Sequence, residues 1–197
     1  IVCFNTPRPE DVANRLEKDG IATSGVIPLQ REIDTPAGMR TAKFARVQFA
    51  PDQSPEGYVQ AAHHLTPQYI YQPRYTVHAN RCDSLRTTFM ATSDLEGFAK
   101  KYARYTGLVP ARDDHAVRFD FPLGTRLIIV EADYAPLYLP GSLFPPLPTI
   151  AGVAFRCPDL NAQRSRLKQN GFAFFEAKNR LVVPAEQAGG VAVAFEE

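Results

Sequence analysis

Tryptophan is absent from this chain, and methionine, cysteine and histidine number only two, three and four. Each scarcity excludes something. With four histidines, any site built on imidazole must draw on His63, His64, His78 or His115. Cys3, Cys82 and Cys157 are odd in number and widely scattered, with no CxxC pair, which excludes a disulfide framework and a cysteine-based structural zinc site. A reducing, cytoplasmic setting is the default that follows. None of the thiols stands in a basic or helix-initiating neighbourhood, so a nucleophilic cysteine is not expected. Charge of one sign is lacking too: 22 basic residues face 21 acidic ones, for a formal net charge of +1. Without a basic stripe, nucleic acid is not an expected partner. No apolar run approaches the roughly 18 residues of a membrane-spanning helix, so no membrane role is expected. Neither a glycine-rich phosphate loop nor a serine-centred nucleophile elbow occurs.

What is present is repetition. Three times a short apolar strand is followed by a polar break, a helix of about three turns and a glycine stop. The copies run from Val2-Cys3-Phe4 to Gly20, from Thr88-Phe89-Met90 to Gly107, and from Val153-Ala154-Phe155 to Gly171. Strand-like segments follow each glycine. A repeated strand–helix–multistrand unit fixes the fold class before any single motif does. The expected class is α+β, with βαβββ modules pairing into curved mixed sheets.

In the first module, residues 1–72, Pro9-Glu10-Asp11 opens a helix as proline and acidic residues should. Strands are predicted at Gly25–Ile33, Met39–Phe49 and Tyr58–Leu65. In the second, residues 84–133, Ser93-Asp94-Leu95-Glu96 has capping-box spacing. Leu95, Phe98, Ala99 and Tyr102 then mark one amphipathic face. Val117, Phe119 and Phe121 alternate with polar residues, and Arg126–Glu131 returns as a more apolar strand. The third module, residues 149–197, starts its helix at Pro158-Asp159 and predicts strands at Phe172–Glu176, Arg180–Val183 and Gly190–Phe195. Modules two and three together form the expected paired domain, 84–197. Between them Tyr134–Pro148 carries Pro136, Pro140, Pro145, Pro146 and Pro148, which reads as a connector or lid rather than a strand. Ile1-Val2-Cys3-Phe4 reads as a strand with no initiating methionine or charged leader, and Asn5, Pro7 and Arg8 rule out a signal peptide. The expectation is a chain that begins inside a larger protein.

This organisation resembles the glyoxalase/bleomycin-resistance, or vicinal oxygen chelate, superfamily, and within it a glyoxalase-like branch of bacterial proteins. Three stretches carry the closer resemblance: Arg31 with Gly38-Met39-Arg40-Thr41-Ala42-Lys43-Phe44, His63-His64-Leu65-Thr66-Pro67-Gln68-Tyr69-Ile70-Tyr71, and His78-Ala79-Asn80. The resemblance implies two modules facing each other around a cavity. It also implies a divalent metal there (Mn, Fe, Ni, Zn or Co), held by a His on a module's first strand and a Glu on its last. Three modules cannot pair off internally, so either a further N-terminal module or a second copy of the chain, as in a homodimer, is expected to complete the set.

The expected ligands are incomplete. Thr87 and Gly152 stand where the resemblance implies His; Ile129 and Ala194 stand near the Glu positions, with Glu131 and Glu196 two residues later. His64 and Glu131 are the candidate metal ligands and proton-transfer groups, since imidazole and carboxylate suit both roles near neutral pH. Adjacent His63 and His64 face opposite sides of a strand, so one of them lines a cavity. Arg31 and Arg40 are candidates for bidentate binding of a carboxylate or enediolate. Tyr71 and His78 complete the substrate-binding candidates, and Tyr69 and Tyr75 can line an apolar pocket or pack in the core. His115, after Asp113-Asp114, reads as solvated loop. The implied function is a metal-dependent lyase, isomerase or ring-cleaving enzyme acting on a small oxygenated or carboxylated substrate. Two alternatives stay open: a metal-free module that sequesters a small molecule, and a scaffold that completes a site elsewhere.

Overall fold

The computed structural model describes every residue of the chain except Pro145 and Lys178. The prolines expected in the connector are therefore described apart from Pro145. The chain divides into two compact units, one of Ile1–Thr76 with Arg104–Thr106, the other of Val77–Ala103 with Gly107–Glu197. No helix among the described residues is long and apolar enough to cross a membrane.

The first unit runs β1 (Val2–Asn5), α1 (Pro9–Lys18), β2 (Thr23–Thr35), β3 (Gly38–Phe49) and β4 (Val59–His64), then two short helices, α2 (Pro67–Ile70) and α3 (Pro73–Thr76). Its sheet has the order β1-β4-β3-β2, with β1 parallel to β4 and the other pairs antiparallel. Helix α1 begins with Pro9 and acidic Glu10 and Asp11, as a helix N-terminus favours. Its buried Leu16 covers the face that carries Ala45, Val47, Phe49, Val59 and Ala61. The strands alternate, so the opposite face carries Phe44, Arg46 and Gln48 on β3 beside Gln60, Ala62 and His64 on β4.

The second unit holds β5 (Ser84–Thr92), α4 (Leu95–Thr106, whose last turn belongs to the first unit), β6 (Ala111–Asp113), β7 (Ala116–Asp120) and β8 (Arg126–Glu131). After α5 (Ala135–Tyr138) come β9 (Thr149–Arg156), α6 (Leu160–Gln169), β10 (Phe175–Glu176), β11 (Arg180–Val183) and β12 (Ala192–Glu196). The eight strands make one sheet, ordered β10-β11-β12-β9-β5-β8-β7-β6. Each half repeats the topology of the first unit, its first strand parallel to its last (β5 with β8, β9 with β12). The halves join where β5 and β9 run antiparallel. The expected α+β repeat of βαβββ modules is thus the observed architecture.

Local chemistry explains the helix boundaries. Gly20, Gly107 and Gly171 all sit at φ near +70°, the left-handed conformation that ends each helix without a Cβ penalty. Asp94 and Asp159 cap α4 and α6, each accepting a 2.8 Å bond from the amide three residues on, Gly97 and Ala162. The predicted capping box starting at Ser93 is therefore displaced by one: the chain becomes helical after Asp94, and Glu96 pairs instead with Arg112. Strand bounds differ from expectation as well. The short β6 went unpredicted, β10 is limited to Phe175–Glu176, and β12 ends at Glu196.

The proline-rich connector does more than connect. Ala135 and Leu139 are fully buried, and Tyr134, Tyr138 and Phe144 pack beside them on a cluster of Phe89, Ile128, Val130, Val182 and Ala194. Residue 152 is glycine because Leu139 lies against it: a Cβ there would meet Leu139 Cδ1 at 2.7 Å. The connector therefore covers part of the face opposite α6, where Leu160 and Leu167 meet Phe195, Leu181 and Val183.

Candidate functional site

Strand pairing in the first unit converts a stretch of alternating residues into a ladder. Phe44 lies opposite His64 and Leu29 opposite Phe44, while Arg31 sits two residues along β2 on the same face. The Arg31 guanidinium stands 5.5 Å over the Phe44 ring. Phe44 meets the His64 ring edge-on at 5.2 Å, and Tyr71 stacks on His64 at 5.6 Å. Tyr71 is held there by the segment after β4. The Thr66 hydroxyl accepts from the Lys43 amide at 2.8 Å, and Gln72 Nε2 donates to the carbonyls of Asp34 (2.9 Å) and Tyr69 (2.7 Å). Arg74 also pairs with Asp34 at 2.9 Å.

Polar groups on this face are under-used. Among the described residues, His64 Nδ1, Gln60 Oε1 and Arg46 Nε are buried atoms with no protein partner. Buried polar atoms ordinarily find partners, so three orphans on one sheet face form a donor–acceptor set suited to an exogenous molecule. The rest of each side chain is anchored: Arg46 Nη1 donates to the Tyr58 hydroxyl at 3.0 Å, and Gln60 Nε2 to Cys3 Sγ at 3.5 Å. Burial lowers the His64 pKa below its ordinary value, and electrostatic interaction with Arg31 and the neighbouring His63 lowers it further. The shift favours the uncharged form of the imidazole.

A second polar constellation lies in the sheet of the second unit. Glu196, with only 8% of its side chain exposed, accepts from Arg180 Nε (2.9 Å) and Nη2 (2.6 Å), from Arg126 Nη2 (3.1 Å) and from the Thr87 hydroxyl (3.2 Å). Arg180 also stands 5.2 Å over the Phe89 ring. Two guanidiniums thus enclose one carboxylate.

Thr87, where the resemblance implies a His, and Glu196, two residues beyond an implied Glu position, here bond to each other. Register corrects the expectation for the second module. Arg156 pairs with Glu196 and Ala91 with Val130, so the counterpart of Glu196 is Val130. Glu131 is one residue out of phase with that position, at the very end of β8. It bonds His115 Nδ1 at 3.1 Å, and that ring stacks on Tyr134. His115 lies in the turn between β6 and β7, as its reading as loop expects, but its half-exposed ring is engaged there.

The remaining candidates fall as follows. His64, Arg31 and Tyr71 are brought together. Arg40 lies nearer the hairpin tip, exposed, with Nη1 donating to the Met39 carbonyl at 2.8 Å. His78 is exposed in a turn whose carbonyl accepts from the Arg81 amide at 2.9 Å, with Arg81 left-handed at φ +59°. Sequence reading missed Phe44, Arg46 and Gln60, although period-two alternation from His64 and its neighbour strand would have placed all three on one face. Arg126 and Arg180 each head an apolar strand, a signal that has meaning only once the register to Glu196 is known.

The donors do not fit the metal centre that the resemblance implies. Among the described residues, no group of three or more His, Cys, Asp or Glu side chains converges. A divalent ion asks for about four to six donors. The first unit's cluster offers one imidazole, while Glu196 and Glu131 are committed to arginines and to His115.

No family model matches the chain, and no curated protein matches it. Solved structures do. A hypothetical protein from Staphylococcus aureus superposes with a TM-score of 0.61 at 10% identity, covering 98% of this chain and 64% of that one. The chain thus spans about two-thirds of that protein's length. Methylmalonyl-CoA epimerase from Mycobacterium tuberculosis gives 0.48 at 18% identity, covering 63% of this chain and 93% of the enzyme. A Streptomyces coelicolor methylmalonyl-CoA epimerase variant in complex with 2-nitronate-propionyl-CoA gives 0.42 at 13%, covering 58% and 96%. At these identities the likeness is one of fold.

Proposed function

We propose that this chain, a protein of paired glyoxalase-type βαβββ modules, binds a small carboxylated or oxygenated molecule on the open face of its first module. The observation that carries this reading is the set of three buried, unpartnered atoms, His64 Nδ1, Gln60 Oε1 and Arg46 Nε, beside the Arg31–Phe44–His64–Tyr71 ladder. Arg31 supplies the charge that a carboxylate or enolate oxygen requires. The rings of Phe44 and Tyr71 supply an apolar surface for the carbon skeleton.

The chemistry open to such a site is proton transfer next to a carbonyl. The uncharged His64 imidazole accepts the proton while the Arg31 guanidinium stabilises the oxygen that gains charge, the step shared by isomerases and lyases. A metal-assisted version would need ligands from beyond the first unit, from a second copy of the chain or a further module. A second reading is metal-free sequestration of a small molecule, favoured by the exposed Tyr71 ring and the half-buried His64 and Phe44 rings beside it. Fold analogy does not choose between the two.

Pyruvate and malonate in D2O separate them. Saturable shifts of the His64 imidazole signals, with α-proton exchange faster than in protein-free buffer and lost in His64→Ala, support the enzyme. Saturable binding without exchange supports sequestration. No shift and no exchange, with elemental analysis showing no bound divalent metal that His64→Ala removes, would sink the proposal.

A further inference from the structure

Modules two and three share a topology, and their helices start from equivalent aspartates, Asp94 and Asp159. Counted from those caps, the positions that hold Phe98 and Tyr102 in α4 hold Gln163 and Leu167 in α6. In α4 the two rings stack at 6.2 Å and Tyr102 is wholly buried. Replacing two rings by a carboxamide and a leucine leaves space between α6 and the back of β11 and β12. The space is a cavity of about 370 Å³.

Its wall is apolar, formed by Leu167, Phe172, Val183, Val193 and Phe195. At its rim the polar groups are engaged. Arg166 Nη2 donates to the Ala79 carbonyl (2.7 Å), Asn170 Nδ2 to the Arg166 carbonyl (2.8 Å), and Gln187 Oε1 accepts from the Ala173 amide (3.0 Å). Asn80, from the His78-Ala79-Asn80 motif, accepts from the Cys82 amide at 3.1 Å. Gln163 is the exception. It is 3% exposed, lines the cavity, and its Oε1 meets no donor among the described residues. A glutamine at the inward position of an amphipathic helix leaves a hydrogen bond unmade unless something enters the cavity to make it.

We propose that this cavity is a binding site for a small apolar molecule bearing one hydroxyl, such as a phenol, with the hydroxyl bonded to the Gln163 carboxamide. The volume lies at the lower end of ligand pockets, room for one or two fused rings. A hydroxyl suits either orientation of the carboxamide, donating to Oε1 or accepting from Nε2. A carboxylate suits it poorly, because the cation at the cavity, Arg166, is exposed and already bonded to a backbone carbonyl. The site lies wholly in the second unit and does not depend on the reading of the His64 ladder.

The test uses the intact chain with 2-naphthol and, as the same skeleton without the hydroxyl, naphthalene. Wild-type protein binds 2-naphthol about tenfold more tightly than naphthalene, the worth of one buried hydrogen bond. The methyl signals of Leu167, Val183 and Val193 shift on binding. Gln163→Leu levels the two affinities to within about twofold. Gln163→Phe, which restores the residue of the second module, fills the cavity, abolishes binding of both and raises the thermal midpoint. If Gln163→Leu fails to fold, Gln163→Met gives the same comparison. The proposal is overturned if wild-type protein does not bind 2-naphthol saturably, as when an ordered water is the sole occupant, or if the preference persists without the carboxamide.

Discussion

Glu196→Gln probes the arginine–carboxylate cluster of the second unit with a change of charge at nearly constant shape. In the wild type one Glu196 oxygen takes both bonds from Arg180, and the other takes those from Arg126 and Thr87. An amide cannot reproduce this, since whichever way it turns its NH2 group faces a guanidinium donor. Removing one member of a buried ion pair costs about 3–5 kcal/mol, chiefly because the partner charge is left buried and uncompensated. Arg126 and Arg180 keep 30% and 21% of their side chains exposed, so water relieves part of that cost and the low end applies. We expect a loss of about 3 kcal/mol, or a fall of about 2 M in the urea midpoint at a slope of about 1.5 kcal/mol/M. Urea unfolding followed by circular dichroism measures it, with amide exchange on β12 identifying the transition of this unit. Replacing the cluster together, as Arg126→Met, Arg180→Met and Glu196→Leu, should recover most of the loss. A Glu196→Gln protein within about 0.5 kcal/mol of wild type would refute the reasoning, because that is the range of a surface substitution.

Two further outcomes follow from the same physics. The His64 pKa, read by NMR titration, should lie below the ordinary value of about 6.5. A lowered pKa means that the unfolded chain binds more protons than the folded one between the two values. The stability of the first unit therefore rises with pH through that window and is lost as pH falls below about 6.5; His64→Ala should flatten the dependence. Asp94→Ala and Asp159→Ala should each cost about 1 kcal/mol by chemical denaturation, with the Asn variants close to wild type, since each aspartate makes one capping bond.

The secondary structure was largely legible because its signals are local. Gly20, Gly107 and Gly171 end helices, Asp94 and Asp159 start them, and alternation marks Val117–Phe119 as a strand. Even the miss at Ser93 was a displacement of one residue, within the reach of short-range capping. Sites were less legible, because they depend on which strands become neighbours. His64, Arg31 and Tyr71 were identifiable from motif resemblance, but Phe44, Arg46 and Gln60 join them only through the pairing of β3 with β4.

The sequence by itself determined the repeat, the α+β class and the stock of groups available for chemistry: four imidazoles, three scattered thiols and a nearly neutral charge balance. Tertiary structure decided what those groups do. Register put Glu196 between two arginines and left Glu131, one residue out of phase with its counterpart position, against His115. Packing turned a proline-rich connector into a covering element and one buried glutamine into the polar floor of a cavity. Burial and register are properties of neighbours distant in sequence, and composition and spacing carry no record of them.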